Sequence, residues 1–279
     1  MKKPVSNNQY NFGNVMAEKD LLCRLKIPFT LTLTNYTAKI ESEIETQKFL
    51  SKLSSNQFFA AAAKIKKDVT KFTPPEIVKD EIKFYHANTL LPFGNYDSVM
   101  NVDINSAYAQ AMCNEGYISH ETFAYLMKLP KMDRLGAIGM LASKKEHFYF
   151  EGGECIRSET QISPLENFFW FCCQKIQRVM FEIWQATGNE FIFTWVDGVY
   201  FLDPSSINFK KVQQALLQMG YQSKFEKLSD FQILDANNTI KYSYFAGQKQ
   251  KYIQIPKAGE SLKTEIAKSI FKSILKNKK

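Results

Sequence analysis

Two aspartates far apart in the chain, Asp103 and Asp197, each stand where a strand ends. Asp103 falls late in the extended run Ser98–Ile104, within Asn101-Val-Asp-Ile-Asn-Ser-Ala-Tyr108. Asp197 occupies the tip of a hairpin predicted for Phe191-Ile-Phe-Thr-Trp-Val-Asp-Gly-Val-Tyr-Phe201. Carboxylates at strand ends can converge and share hard divalent cations, which take oxygen ligands. Between them in sequence, Lys131-Met-Asp-Arg134 opens a helix and offers two cations one turn apart. Acid, base and acid in that order suit the joint handling of a triphosphate and its metal ions. Plainer readings exist. Asp197 can be a turn residue only. Lys131 and Arg134 can be solvated charges, although cations at a helix start oppose the dipole.

The elements that must hold these residues are legible in outline. The chain has 279 residues, 45% of them apolar, with 23 phenylalanines, enough for one large domain or two small ones. A net charge of +8 favours a polyanionic partner, a trait shared by ribosomal, membrane-surface and nucleotide-binding proteins. The five cysteines form no CxxC pair and the three histidines have no partner at ligand spacing. This is the usage of a reducing compartment, without a disulfide framework or zinc site. The start of the chain leads into no apolar signal segment. The longest apolar stretch, Phe168–Cys173, is far too short to cross a bilayer. A cytoplasmic protein with no membrane partner is expected.

Residues 1–20 are polar and expected to be loosely ordered. Ile27, Phe29, Leu31 and Leu33 alternate as a half-buried strand. Residues 41–71 read as helices interrupted around Ser54-Ser55-Asn56, and Thr73-Pro-Pro75 marks a boundary. Then come a strand over Ser98–Ile104, a helix over Ser106–Glu115, a short helix over 119–129 and a helix opened by Pro130. A hairpin folds about Gly152-Gly153. Ser163-Pro-Leu-Glu166 launches a long, nearly all-apolar helix that ends at Gly188-Asn189, just before the Asp197 hairpin. Asp197-Gly198 fits its tight turn. Phe209–Met219 reads as a helix and Tyr221–Phe225 as a strand, and Lys241–Tyr244 pairs with Tyr252–Ile255. Ser261–Lys276 is an amphipathic helix with Leu262, Ile266, Ile270 and Ile274 on one face and lysines on the other.

Asp103-Ile-Asn-Ser-Ala-Tyr108 resembles motif A of family B DNA polymerases, Asp-x-x-Ser-Leu-Tyr. Lys131–Lys145 is similar to their motif B, with Lys131, Gly139, Ala142 and Ser143 in register. Val196-Asp197-Gly198 is similar to the end of motif C, Asp-Thr-Asp-Ser. Gln248-Lys-Gln-Lys-Tyr-Ile-Gln254 resembles the Lys-x-Tyr element that follows the palm. The colinear set covers about residues 83–256 and fits best the protein-primed phage branch. The resemblance implies an α+β fold: a polymerase-type palm with an antiparallel sheet, minimal helical fingers and a small thumb, plus a helical N-terminal module. The expected divisions are 1–75 (mixed, mainly helical), 76–256 (palm, with fingers about 109–145) and 257–279 (a basic, thumb-like C-terminal helix).

It also implies the activity, in which deoxynucleoside triphosphates extend a DNA primer on its template. Asp103, Asp197 and the backbone carbonyl of Ile104 would bind Mg²⁺ or Mn²⁺. Lys131 would hold the triphosphate, with Arg134 as a second clamp inferred from its helical position. Tyr108 would lie under the incoming sugar and Gly139 would leave room for the nascent base pair. Lys249, Lys251 and Tyr252 would contact the primer strand. The chain departs from the family at several positions. Trp195 stands where the first motif C aspartate belongs, Leu135 and Ile138 replace the usual Asn and Tyr of motif B, and Gln250 takes the lysine position of Lys-x-Tyr. Residues 1–75 are too short for a proofreading exonuclease. The alternatives are a catalytically silent palm acting as a nucleic-acid-binding or virion-structural protein, and a primase-like or template-independent transferase.

Overall fold

A computed structural model describes residues 5–51, 56–83, 85–88, 91, 93–203, 206–236, 239–246, 248–255, 266 and 269–270. The elements follow in chain order: β1 (Val5–Gln9), α1 (Phe12–Arg24), β2 (Phe29–Leu33), β3 (Thr37–Ser42), β4 (Thr46–Leu50), α2 (Asn56–Val69), β5 (Tyr85–Ala87), β6 (Gly94–Tyr96), β7 (Val99–Ile104), α3 (Ala107–Asn114), α4 (His120–Met127), α5 (Lys131–Gly139), β8 (Lys144–Glu151), β9 (Glu154–Ile162), α6 (Glu166–Thr187), β10 (Phe191–Trp195), β11 (Gly198–Leu202), α7 (Ile207–Gln218), β12 (Ser223–Ala236), β13 (Thr239–Ala246) and β14 (Lys249–Ile255). They form a mixed α+β structure in two compact units. The first comprises Met1–Pro74, Ala124–Phe168 and Gly259–Lys279, the second Pro75–Phe123 and Phe169–Ala258.

The first unit is built on a six-stranded sheet, β1-β4-β3-β2-β8-β9, antiparallel except where β1 joins β4. In β2 every second side chain, Phe29, Leu31 and Leu33, is buried, as its alternation requires. Phe29 sits opposite Phe150 of β8, their rings stacked 4.4 Å apart. Ala38, Ile40, Phe49 and Phe148 extend this core, which Val15 and Leu22 of α1 join. The N-terminal module is therefore not mainly helical. Residues 41–50 fall in β3, β4 and the turn between them, and β1 and most of α1 stand within residues 1–20, where loose chain was expected. Glu, Gln, Lys and Leu favour helix only weakly, and pairing with β2 and β1 overrides that preference. Asn11 caps α1 by accepting from the Asn14 amide at 2.8 Å.

The expected C-terminal thumb also changes place. The segment 259–279 groups with the first unit, and Ile266 and Ile270, both helical, are buried in the core just described. Leu262, Ile274 and the lysine face lie outside the described residues.

The second unit holds an eight-stranded sheet, β14-β13-β12-β7-β11-β10-β5, with β6 added beside β12. Its pairings are all antiparallel. β12 is far longer than the strand expected over Tyr221–Phe225. Its first half pairs β7 and its second half pairs β6 and β13, across an irregularity between Ser229 and Gln232. The sheet curls. Three strands separate β13 from β10, yet Tyr242 and Phe193 stack 3.9 Å apart. On the opposite face, Phe209 of α7 meets Phe225 edge-on at 4.6 Å, and Trp184 of α6 stacks on Phe191 at 5.0 Å.

Candidate functional site

β7 is the inner strand that positions Asp103. Its register sets Asp103 opposite Gly198 of β11 on one side and Lys224 of β12 on the other. The β10–β11 hairpin closes with Trp195 opposite Gly198, so the two turn residues are Val196 and Asp197. The turn is thus one residue earlier than the expected Asp197-Gly198, and Gly198 is a strand residue. Val196 has φ +56°, the left-handed region that β-branched residues rarely enter, so the tip is held by its surroundings. Beyond the last strand pair the Ile104 N–H donates to the Asp197 carbonyl at 3.0 Å. Asp103 and Asp197 therefore stand at the ends of adjacent strands, both half-buried.

The face of β7 that carries Asp103 also carries Asn101, since alternate residues share a face. Tyr200 lies opposite Asn101 on β11 and Glu226 opposite it on β12. The Tyr200 hydroxyl is hydrogen-bonded to that of Tyr244 at 3.1 Å. Burial first, then Tyr244 and the charges of Asp103 and Glu226, hold the Tyr200 hydroxyl well above the ordinary phenol range. It stays protonated and can only donate or accept hydrogen bonds. The Asn101 Oδ1 is buried without a hydrogen-bond partner. Lys251 Nζ stands 3.8 Å from Glu226 Oε2. Asn101, Lys224, Tyr200, Tyr244 and Glu226 escape a reading by motif. The two-residue period marks Asn101, but cross-strand register is not written in sequence.

On the helix side, Tyr108 of α3 stacks on Phe169 of α6 (5.5 Å, 7°) and shares a hydrogen bond with Cys173. Burial, Cys173 and the Asp197 charge raise its pKa far above normal. Burial likewise pushes the Cys173 thiol up to about 12. The buried Gln110 staples this region. Its Nε2 donates to the carbonyls of Asn105 and, at 2.9 Å, Gln222, and its Oε1 accepts from the Gln222 amide at 2.8 Å. The start of α3, the end of β7 and the lead into β12 are thereby locked together.

The remaining expected residues are described within their own units. Lys131, Arg134 and Gly139 belong to the first unit. Lys131 is exposed at the first position of α5. The Arg134 Nη1 donates to the carbonyls of Leu126 in the last turn of α4 (3.5 Å) and of Leu129 just beyond it (3.2 Å). Its guanidinium is engaged locally rather than held out as a second clamp, and burial lowers its pKa. A Cβ on Gly139 would meet only the Tyr36 hydroxyl at 3.6 Å, an ordinary contact. Gly136 is the position that needs glycine, because a Cβ there would lie 2.8 Å from Phe58 of α2. Lys249, Lys251 and Tyr252 are exposed on β14. Lys251 lies opposite Tyr244 and so shares the Asp103 face with Lys249, whereas Tyr252 points to the other face.

Among the described residues no three His, Cys, Asp or Glu side chains are grouped to hold a metal ion. No helix of the described residues is long and apolar enough to cross a membrane. No family model matches the chain, and no curated protein or solved structure matches it.

Proposed function

We propose that the second unit is a polymerase-type palm that adds deoxynucleotides to the 3′ end of a DNA primer, with Mg²⁺ or Mn²⁺ held at Asp103 and Asp197. One observation carries this reading. Two aspartates 94 positions apart (197 − 103) are set at the ends of neighbouring strands, tied by the bond from the Ile104 amide to the Asp197 carbonyl. The donor chemistry fits. Mg²⁺ is commonly held by one or two carboxylates together with substrate phosphates, so a third protein carboxylate is not required. When bound, such ions acidify the attacking hydroxyl and stabilise the charge of the departing pyrophosphate.

The chain's own groups have distinct parts. Half-burial keeps the two carboxylates in a medium where charge interactions are stronger than in water. Lys224, across from Asp103, supplies a counter-charge. Tyr108, pinned by Phe169 and Cys173, forms a fixed wall that discriminates against a 2′-hydroxyl. Lys249 and Lys251 continue the same sheet face and attract a phosphate backbone. Trp195 favours a second reading, a silent palm that binds nucleic acid. It stands in the hairpin where the family carries its first aspartate, edge-on to Tyr85 at 6.3 Å.

Purified protein, a labelled primer–template, Mn²⁺ or Mg²⁺ and deoxynucleotides decide between them. The wild type extends the primer, and Asp103→Asn and Asp197→Asn each lower the rate by about a hundredfold or more, the several kcal/mol that metal ions supply. Tyr108→Ala admits ribonucleotides. Absence of extension by wild-type protein that binds DNA tightly, unchanged in Asp197→Asn, would establish the silent palm instead.

A further inference from the structure

α6 buries one face, with Phe168, Cys172, Ile176, Val179 and Ile183, and another stripe of it faces solvent. Gln174, Gln177, Arg178, Phe181 and Trp184 share it, since Gln174, Arg178 and Phe181 and likewise Gln177, Phe181 and Trp184 recur at helical spacings of three and four. Polar side chains are expected on such a stripe. Instead Phe181 is 48% and Trp184 37% exposed, and the two rings meet edge-on at 5.9 Å. With Ile82, His86 and Thr194 they line a cavity of about 340 Å³, at the lower end of the size range of ligand sites.

The walls are built rather than incidental. Gln177 pins the segment before β5 to α6, accepting from the Lys83 amide at 3.1 Å and donating to the Glu81 carbonyl at 3.4 Å. The His86 backbone amide donates to the Thr194 hydroxyl at 3.1 Å, which ties β5 to β10 at the cavity wall. The His86 ring lies 6.2 Å from the Trp184 ring and 33° off parallel, so the two flank the space without stacking. Trp184 is braced from behind by Phe191. Burial and Lys83 lower the His86 pKa, so the neutral ring offers one donor and one acceptor. Gln174 and Arg178 add further edge groups. His86, Gln177, Met180 and Thr194 also line a smaller recess that reaches Tyr108 and Val196, beside the hairpin of Asp197.

We propose that this cavity takes one unpaired base of a single DNA strand, with the base against Trp184 and Phe181 and its edge on His86 and Gln174. A planar π face next to hydrogen-bonding edges is what a nucleobase matches. Arg178 in the cavity wall and Lys83 on the adjoining recess outnumber the one carboxylate of the lining, Glu81, and on a chain of net charge +8 they match the phosphates on either side of the base. The site needs no metal and no turnover, and it goes beyond the activity proposed above.

Binding of a short labelled oligothymidylate to the full-length protein, read by fluorescence anisotropy in EDTA, tests it. Phe181→Ala and Trp184→Ala each weaken binding roughly ten- to a hundredfold, the worth of one stacked base, and Trp184→Phe restores most of it. An otherwise identical strand carrying abasic sites binds the wild type as poorly as the intact strand binds Phe181→Ala. Because Trp184 also supports Phe191, the exposed Phe181 is the variant that keeps the test sound if Trp184→Ala misfolds. Asp103→Asn binds like the wild type, which separates this result from loss of primer extension. Equal binding of intact and abasic strands, or wild-type affinity in Phe181→Ala, overturns the assignment. So does competition by free thymidine monophosphate as potent as that by the strand.

Discussion

β2 and β7 occupy equivalent inner places in their two sheets, each flanked by antiparallel neighbours. β2 buries Phe29, Leu31 and Leu33 in a single apolar row and turns threonines outward. β7 starts one of its rows with buried Val99 and continues it with half-buried Asn101 and Asp103, next to tyrosine hydroxyls. A polar row on an inner strand is unfavourable unless partners satisfy it. The first sheet is built for stability. The second gives up part of that at the end of the row that carries Asp103.

The sharpest way to break this contrast is to truncate each sheet. Phe148→Ala in the first sheet should cost about 3–5 kcal/mol, measured by denaturant unfolding. Asn101→Leu in the second should cost far less, or stabilise, since the Asn101 Oδ1 has no partner to lose. Equal losses would show that the polar row is structural. Gln110→Ala comes next. Stranding the Gln222 and Asn105 groups should cost about 2 kcal/mol and lower primer extension as α3 loosens. A stability loss with activity intact would separate the staple from the site.

Val196→Gly should relieve the left-handed strain at the hairpin tip and raise stability by up to about 1 kcal/mol. Destabilisation instead would mean that packing of the valine outweighs its backbone. The smallest effect concerns pH. The folded His86 pKa lies below its ordinary 6.5 because burial and Lys83 disfavour the cation. Its contribution is therefore complete above about pH 6.5 and is lost as pH falls through the lower folded value. Thermal melts of His86→Gln should lose that part of the acid sensitivity. Identical profiles for both proteins would remove His86 from the account.

The segments around the acidic pair were legible because they are local. An alternating strand, glycine and proline punctuation and a long apolar helix delimit β7, α3, α6 and the β10–β11 hairpin to within a few residues. What could not be read is non-local. Residues 41–50 carry helix-forming side chains, yet they extend because β1 and β2 offer them partners. Lys224 and Glu226 join the site through register alone. Arg134 looked like a cation for a ligand, and only the chain's path shows the carbonyls at and after the end of α4 waiting for it. Gly136 and Gly139 are alike in sequence, and only the position of Phe58 tells them apart.

The first unit is assembled from three stretches of chain, and Ile266 and Ile270 complete a core begun at Tyr10 and Val15. On the ribosome its opening strands must therefore wait until Ile266 and Ile270 are made before their apolar side is closed. Such long-range closure slows folding and leaves sticky surface exposed during synthesis. A chain stopped short of Ile266 should emerge prone to aggregation, even with both aspartates and the entire second sheet already made.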